Sequence, residues 1–426
     1  MNIPALRFPE FSDTWEKIKL IELSTNGFSN GIFNDPKKVG TGYRLINVKD
    51  MYVGDIIDVN RLTLVDIDKK EFIKNKVEYG DIFFTRSSLV KDGIAYSNVN
   101  LSHAEDLTFD GHLIRMRPNP EKSSPSFLAY NFTIPAVRAQ LIKRGKTTTM
   151  TTIGQEDIAS VEIIVPAVAE QTKIATFLTA VDDRLNQLKQ KKFLLEQYKK
   201  GVMQKFFDQE IRFKDDEGNE YPDWEVTKFG SLYSFKSTNS FSRDNLNYES
   251  GEVKNIHYGD IHTKFKPLLD TANENIPYIN DEMDISKIPN DNYCKAGDLV
   301  IADASEDYND IGKAIEVYKL NNEKVVAGLH TILAKPDLSK IALGFGAYLM
   351  KAEYIHFQIR IISQGTKVLG LSSNRLSGIS VKLPCVNEQT KIANFLSAID
   401  EKISLCNTQI AKTEQYKKGL LQQMFV

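Results

Sequence analysis

Glu170-Gln171-Thr172-Lys173-Ile174-Ala175 and Glu388-Gln389-Thr390-Lys391-Ile392-Ala393 are the same six residues, set 218 positions apart (388 minus 170). The offset persists downstream. Phe177-Leu178 matches Phe395-Leu396, Asp182 matches Asp400, and Glu196-Gln197-Tyr198-Lys199-Lys200-Gly201 matches Glu414-Gln415-Tyr416-Lys417-Lys418-Gly419. Upstream the likeness thins but keeps its order, pairing Gly80-Asp81 with Gly297-Asp298, Ala129-Tyr130 with Ala347-Tyr348, and Pro166 with Pro384. Trp15-Glu16 and Trp224-Glu225 open the two copies. The chain is therefore an internal duplication, a property that decides architecture before local propensity does. The segments after each proline repeat closely while the globular parts drift, which suits a molecule with fixed partners and two different targets.

Those repeated segments read as long helices. From Glu170 to about Phe207 there is no proline and only Gly201 among the glycines, with Leu, Lys, Gln, Glu and Ala frequent, all good helix formers. In the second copy Ile392, Leu396, Ile399, Ile403, Cys406 and Ile410 step alternately by four and three, the seam of a coiled coil. The first copy offers Ile174, Leu178, Val181, Leu185, Leu188 and Leu195 at the equivalent places, with Lys192 interrupting. That lysine either sets pairing register or lifts its ammonium to water along an apolar stem, the second being favoured. About 36 helical residues at ~1.5 Å each span roughly 54 Å, enough to hold two domains more than one turn of DNA apart. Two seams in one chain favour pairing with each other, antiparallel because a whole globular domain lies between them.

The expected fold class is α+β: two pseudo-repeated mixed α/β domains joined by two long helices that pair as an antiparallel coiled coil. The boundaries read as residues 1–166 for the first globular domain, 167–210 for the first connector helix, 211–385 for the second globular domain and 386–426 for the second connector helix. A chain of 426 residues suits two domains of roughly 150 residues with extra helical segments. Apolar residues at 42% and charged residues at 26% exclude a disordered or fibrous class. Its apolar runs are too short to span a bilayer. The opening residues Met1 to Phe11 carry Pro4, Arg7, Pro9 and Glu10 rather than a continuous apolar stretch, so a cytoplasmic protein is expected. Cys294, Cys385 and Cys406 lack CxxC spacing and read as buried thiols in a reducing compartment. A net charge of −2 does not advertise a nucleic-acid binder; any footprint must come from how the charges are distributed.

Within each half, Val161 to Val165 and Ile379 to Leu383 alternate as strands that end at a proline and feed the helices. Asp81-Ile82-Phe83-Phe84 and Asp298-Leu299-Val300-Ile301 are equivalent strands opened by a glycine turn. Ser126 to Lys143 and Gly344 to Ile362 have helical spacing, and each precedes a polar loop. Those loops supply the candidate base-reading residues: Lys143, Arg144, Lys146, Thr147 and Thr148 in the first copy, and Gln364, Thr366 and Lys367 in the second. Arg and Lys reach guanine acceptors, Gln pairs with adenine, and Gly145 or Gly365 lets the backbone approach a duplex closely. The plainer reading of any one such Lys or Thr is a solvated turn. Arg86, Ser87 and Ser88, with the equivalent Ser305, form a second candidate edge. Arg115 and Arg117 read as a solvated strand face.

Catalytic patterns fail on inspection. Gly145-Lys146-Thr147 resembles the end of a phosphate-binding loop, but Gln140 stands where that pattern needs glycine. The histidine pairs His257/His262 and His103/His112 lack a third ligand nearby, so no metal site is expected. Asn34-Asp35-Pro36 is not the aromatic-ended tetrapeptide of amino-methyltransferases.

Taken with Trp15-Glu16, Trp224-Glu225, the Gly-Asp strands, Pro166, Pro384 and the two Glu-Gln-Thr-Lys-Ile-Ala helix starts, the chain resembles the specificity subunits of type I restriction-modification enzymes over essentially its whole length. The first proline turn, Val165-Pro166-Ala167-Val168-Ala169, departs from the proline-rich pattern of that family. The resemblance implies a non-catalytic, sequence-specific binder of double-stranded DNA. Each variable half would read one part of an asymmetric bipartite site, and the helices would set the spacer and dock two methyltransferase subunits, which endonuclease subunits then join. S-adenosylmethionine, magnesium and ATP would be bound by those partners, with no cofactor in this chain. The alternatives are a specificity subunit of a fused restriction-methylation system, or a coiled-coil protein scaffold with no salt-dependent affinity for DNA.

Overall fold

The computed structural model describes residues 3–33 and 35–426; Met1 and Asn2 of the opening segment, and Asn34 of the tetrapeptide, lie outside them. Packing divides the chain into two compact units, residues up to Leu188 with Gln409–Val426, and Lys189–Thr408. The long helices run over Val168–Phe207 and Val386–Met424. They are not segments apart from the globular domains, as a four-part division treats them, because each gives one end to each unit's core.

In the first unit, strands Ser24–Asn30, Leu113–Pro118, Ile82–Thr85 and Ser97–Val99 make an antiparallel four-stranded sheet in that order. A second sheet places Val39–Ile46 between Thr63–Val65, antiparallel, and Leu107–Phe109, parallel. The pleat alternates along Glu162–Val165, whose Ile163 and Val165 are buried; this strand pairs with Glu16–Lys19 and delivers the chain to the first long helix. Trp15, Phe84, Phe127 and Phe132 pack with Ile174 and Leu178 from the helix start and with Leu420, Met424 and Phe425 from the chain's end. The two long helices thus meet in this unit with the start of one beside the end of the other.

The second unit repeats the plan with insertions. Tyr233–Lys236, Thr331–Pro336, Leu299–Ala302, Ala314–Lys319 and Leu268–Asp270 form a five-stranded sheet, and Glu225–Lys228 pairs with Ser380–Leu383. Its core joins Phe206 and Phe207, from the end of the first long helix, to Ile392 and Leu396, from the start of the second. The seam residues Ile174, Leu178, Leu185, Leu188, Ile392, Leu396, Ile399 and Cys406 are buried, and Val181, Leu195, Ile403 and Ile410 are half-buried. Lys192 lies half-buried with its ammonium 3.8 Å from Glu196, as a surface-reaching stem requires.

Two local expectations change. The helical spacing of Ser126 to Lys143 resolves into two helices, Pro125–Asn131 and Pro135–Arg144, because Pro135 cannot donate an interior bond and starts a helix instead. The equivalent segment breaks likewise into Phe345–Leu349 and Glu353–Ile362. Arg115 and Arg117 are not on a solvated face. Their side chains are 13% and 23% exposed and both donate to the Lys76 carbonyl, while Arg117 forks onto Asp81 at 2.8 and 2.9 Å. No helix among the described residues is long and apolar enough to cross a membrane.

Candidate nucleic-acid interface

Each candidate edge hangs from the Gly-Asp strand. Gly80 and Gly297 hold φ of +89° and +93°, a left-handed turn open to glycine, and a Cβ on Gly80 would stand 2.7 Å from Pro125. The following aspartates then close the turn. Asp81 accepts from the Glu78 N–H and from Arg117, and Asp298 accepts from the Lys295 N–H at 2.7 Å and from Lys335 Nζ at 2.6 Å. Burial pushes the Asp298 carboxyl up, and Lys335 opposes that shift. The strands that follow, Ile82–Thr85 and Leu299–Ala302, are buried at every residue, so each projects its next residues from a rigid base.

Those next residues are the second candidate edge, and the structure brings it against the candidate loops. In the first unit Lys146 lies opposite Thr152, which lies opposite Ser87; Thr147 lies opposite Thr151, which lies opposite Ser88. The Thr147 and Thr151 hydroxyls are hydrogen-bonded at 2.9 Å, and the Arg86 carbonyl accepts from Ile153. In the second unit Ala304–Ser305 pairs with Leu369–Gly370, and Gln364 exchanges both backbone bonds with Gly370. Gly365 makes that loop possible, since at φ +137° a Cβ would sit 1.9 Å from the Val368 carbonyl. The two patches named separately in each half are one edge.

Side chains on these edges are not equally free. Lys143, Lys146, Thr147, Thr148, Arg86, Gln364, Thr366 and Lys367 are exposed. Lys146 approaches Asp157 at 3.6 Å but keeps 77% of its side chain in water. Arg144 is instead turned to Ser160 and the Gln140 carbonyl, fastening the helix end. Ser305 spends its hydroxyl on the backbone of Asp307, donating to the carbonyl and accepting from the N–H. Asp303 is raised by burial, with His330 3.5 Å away opposing.

The sequence reading missed the machinery that ties each edge's domain to the helices. In the first unit Tyr130 donates to Asp182 at 2.7 Å and Lys417 lies 2.6 Å from the same carboxylate. In the second, Tyr348 donates to Asp400 at 2.9 Å and Lys199 lies 2.5 Å from it. All six residues belong to repeat matches visible in the sequence. Gln171 and Gln389 are a second such pair: each accepts from one backbone N–H, of Ser124 or Ala342, and donates to two carbonyls, including Pro166 or Pro384. Glu170 and Glu388, both buried, are forked by Arg7 and Arg212.

Comparison with known proteins places these features. A family model described as a type I restriction modification DNA specificity domain matches residues 12–197 and again 222–415. The MjaX specificity subunit of a type I restriction enzyme from Methanocaldococcus jannaschii is 25% identical over 435 residues, covering 99% of this chain and 95% of that protein. The EcoKI specificity subunit of Escherichia coli K12 is 28% identical over 148 residues, or 34% of this chain and 31% of that protein. Among solved structures, the S subunit of a type I restriction-modification system from M. genitalium superposes with a TM-score of 0.61 at 15% identity, covering 100% and 99% of the two chains. A chain from a type I system solved to explain complex assembly and conformational transition gives 0.52 at 15% identity, covering 97% of each. At that identity both show likeness of fold.

Proposed function

The chain belongs to the type I restriction-modification DNA specificity family, and from that premise we propose how its parts divide the work. It is a specificity subunit with two target-recognition domains and is not itself catalytic; the catalytic activity of such systems lies in partner subunits. In the proposed division each domain reads one half of an asymmetric bipartite site in double-stranded DNA, through the edges at 86–88 with 143–149 and at 303–305 with 363–370. The helices pair along their seams as an antiparallel coiled coil, set the spacer and dock two methyltransferase subunits, which endonuclease subunits join. S-adenosylmethionine, magnesium and ATP belong to those partners, and the complex works in the cytoplasm.

One observation carries this division. What anchors domain to helix is duplicated residue for residue, down to Tyr130-Asp182-Lys417 and Tyr348-Asp400-Lys199, while the edges differ in charge and shape. A joint that must hold two domains to their helices in the same way stays alike, and edges that meet two different targets need not. The test is competition binding by the assembled methyltransferase complex. Specific binding falling steeply with salt, and abolished by altering either half of the site, is expected; indifference to both halves would refute the division.

A further inference from the structure

The loops that follow the Gly-Asp strands, whose role rests on the DNA-reading edge proposed above, differ between the two copies in apolar surface and in charge. After Ser88 the first unit continues Leu89-Val90-Lys91-Asp92-Gly93; after Ser305 the second continues Glu306-Asp307-Tyr308-Asn309-Asp310. Leu89 is 86% exposed and Val90 66%. They are adjacent and stand at the end of the candidate edge, where one contact would cover them both.

Hydrogen bonds define the backbone of the loop. The Val90 N–H donates to Ser88 Oγ at 3.3 Å, and the Gly93 N–H to the Val90 carbonyl at 3.1 Å. Arg138 clamps the base of the loop, donating to the carbonyls of Asp92, Ile94 and Ala95 at 2.9, 2.8 and 2.6 Å. Ala95 is fixed at φ +50° where the second unit has Gly312 at +74°, so the loop keeps its shape even at a left-handed alanine. Leu89 and Val90 are thus pre-organised at the end of the ribbon that carries Lys146 and Thr147. Arg86 and Lys91 flank them along the chain, and no carboxylate among the described residues makes an ion pair with either.

Cations without partners fit phosphate and guanine better than a protein surface of mixed charge. A subunit docked identically on both halves would also need the same tip twice, and the second tip is acidic. The apolar group that a base edge offers in the major groove is the 5-methyl of thymine. We propose that Leu89 and Val90 form an apolar reading tip that packs against a thymine methyl in the half-site of the first unit, a contact the Glu306–Asp310 tip does not make.

The test uses the assembled methyltransferase complex and its mapped duplex site, replacing each thymine in turn by deoxyuridine, which removes only the methyl. One replacement is expected to weaken wild-type binding roughly four- to tenfold, as loss of a buried methyl does. The Leu89→Ser/Val90→Ser double variant should bind both duplexes equally, with its melting temperature and its assembly unchanged. A uridine scan silent for the wild type, a loss undiminished in the double variant, or a site without an A·T pair in its defined bases overturns the tip. Failure of the variant to assemble with methyltransferase also overturns it, by making the tip a protein contact. If the wild type separates the mapped site from a scrambled duplex while the scan is silent, only the tip fails. If it cannot separate them, the DNA-reading function itself fails.

Discussion

Gln389 is fully buried and uses its amide on three backbone groups, the Ala342 N–H and the Lys340 and Pro384 carbonyls. An unsatisfied buried polar group costs about 1–3 kcal/mol, so Gln389→Leu is expected to destabilise the second unit by at least that much, read as a lowered urea midpoint. Glu316 offers a pH signature. Burial pushes its carboxyl up to about 7, against the bonds it accepts from the Gly344 and Ala347 N–H groups. A carboxyl whose pKa rises on folding favours the folded state fully below its unfolded value, and that contribution is lost as pH climbs through about 7. Glu316→Gln should therefore flatten the fall in stability between the ordinary glutamate range and neutrality, followed by thermal melts across pH. At the edges, Lys146→Ala and Lys367→Ala should each weaken DNA binding by roughly 1–3 kcal/mol if the lysine reads a base, or lower the salt slope by about 1 if it meets phosphate. No change in affinity or slope for either lysine would remove the loops from the interface.

Elements were legible where periodicity ran long. The repeat and the missing prolines placed the helices at 167–210 and 386–426, against Val168–Phe207 and Val386–Met424, and both copies start at the same repeat position despite the looser first proline turn. The shorter helices were less legible, because spacing alone passes smoothly over Pro135 and over the break at Met350–Ala352. Arg115 and Arg117 alternate with apolar neighbours as a solvated face would, and only the fold shows that Asp81 and the Lys76 carbonyl draw them inward. The edges were half legible: loop and strand residues were identified separately, but their pairing joins positions 63 to 66 apart that no local pattern links. At this scale Asp400→Ala should cost about 1–3 kcal/mol, since it strands Lys199 and the Tyr348 hydroxyl together. A denaturation midpoint unmoved by that change would mean the triad does not hold domain to helix.

For the whole molecule, the proposed DNA-binding role is compatible with a net charge of −2 because it needs contacts on two local edges, not a uniformly basic surface. Removing one heptad from both helices shortens them by about 10.5 Å, near three base pairs of spacer, and should leave the bases of each half unchanged. The central claim, that this chain gives a restriction-modification complex its two-part sequence preference, is tested most directly by mapping methylation genome-wide. Cells carrying the chain with its neighbouring methyltransferase are compared with cells lacking only the chain. The account predicts a methylated motif of two unlike halves around a fixed gap that vanishes when the chain is deleted; an unchanged methylome from an otherwise active methyltransferase would contradict it.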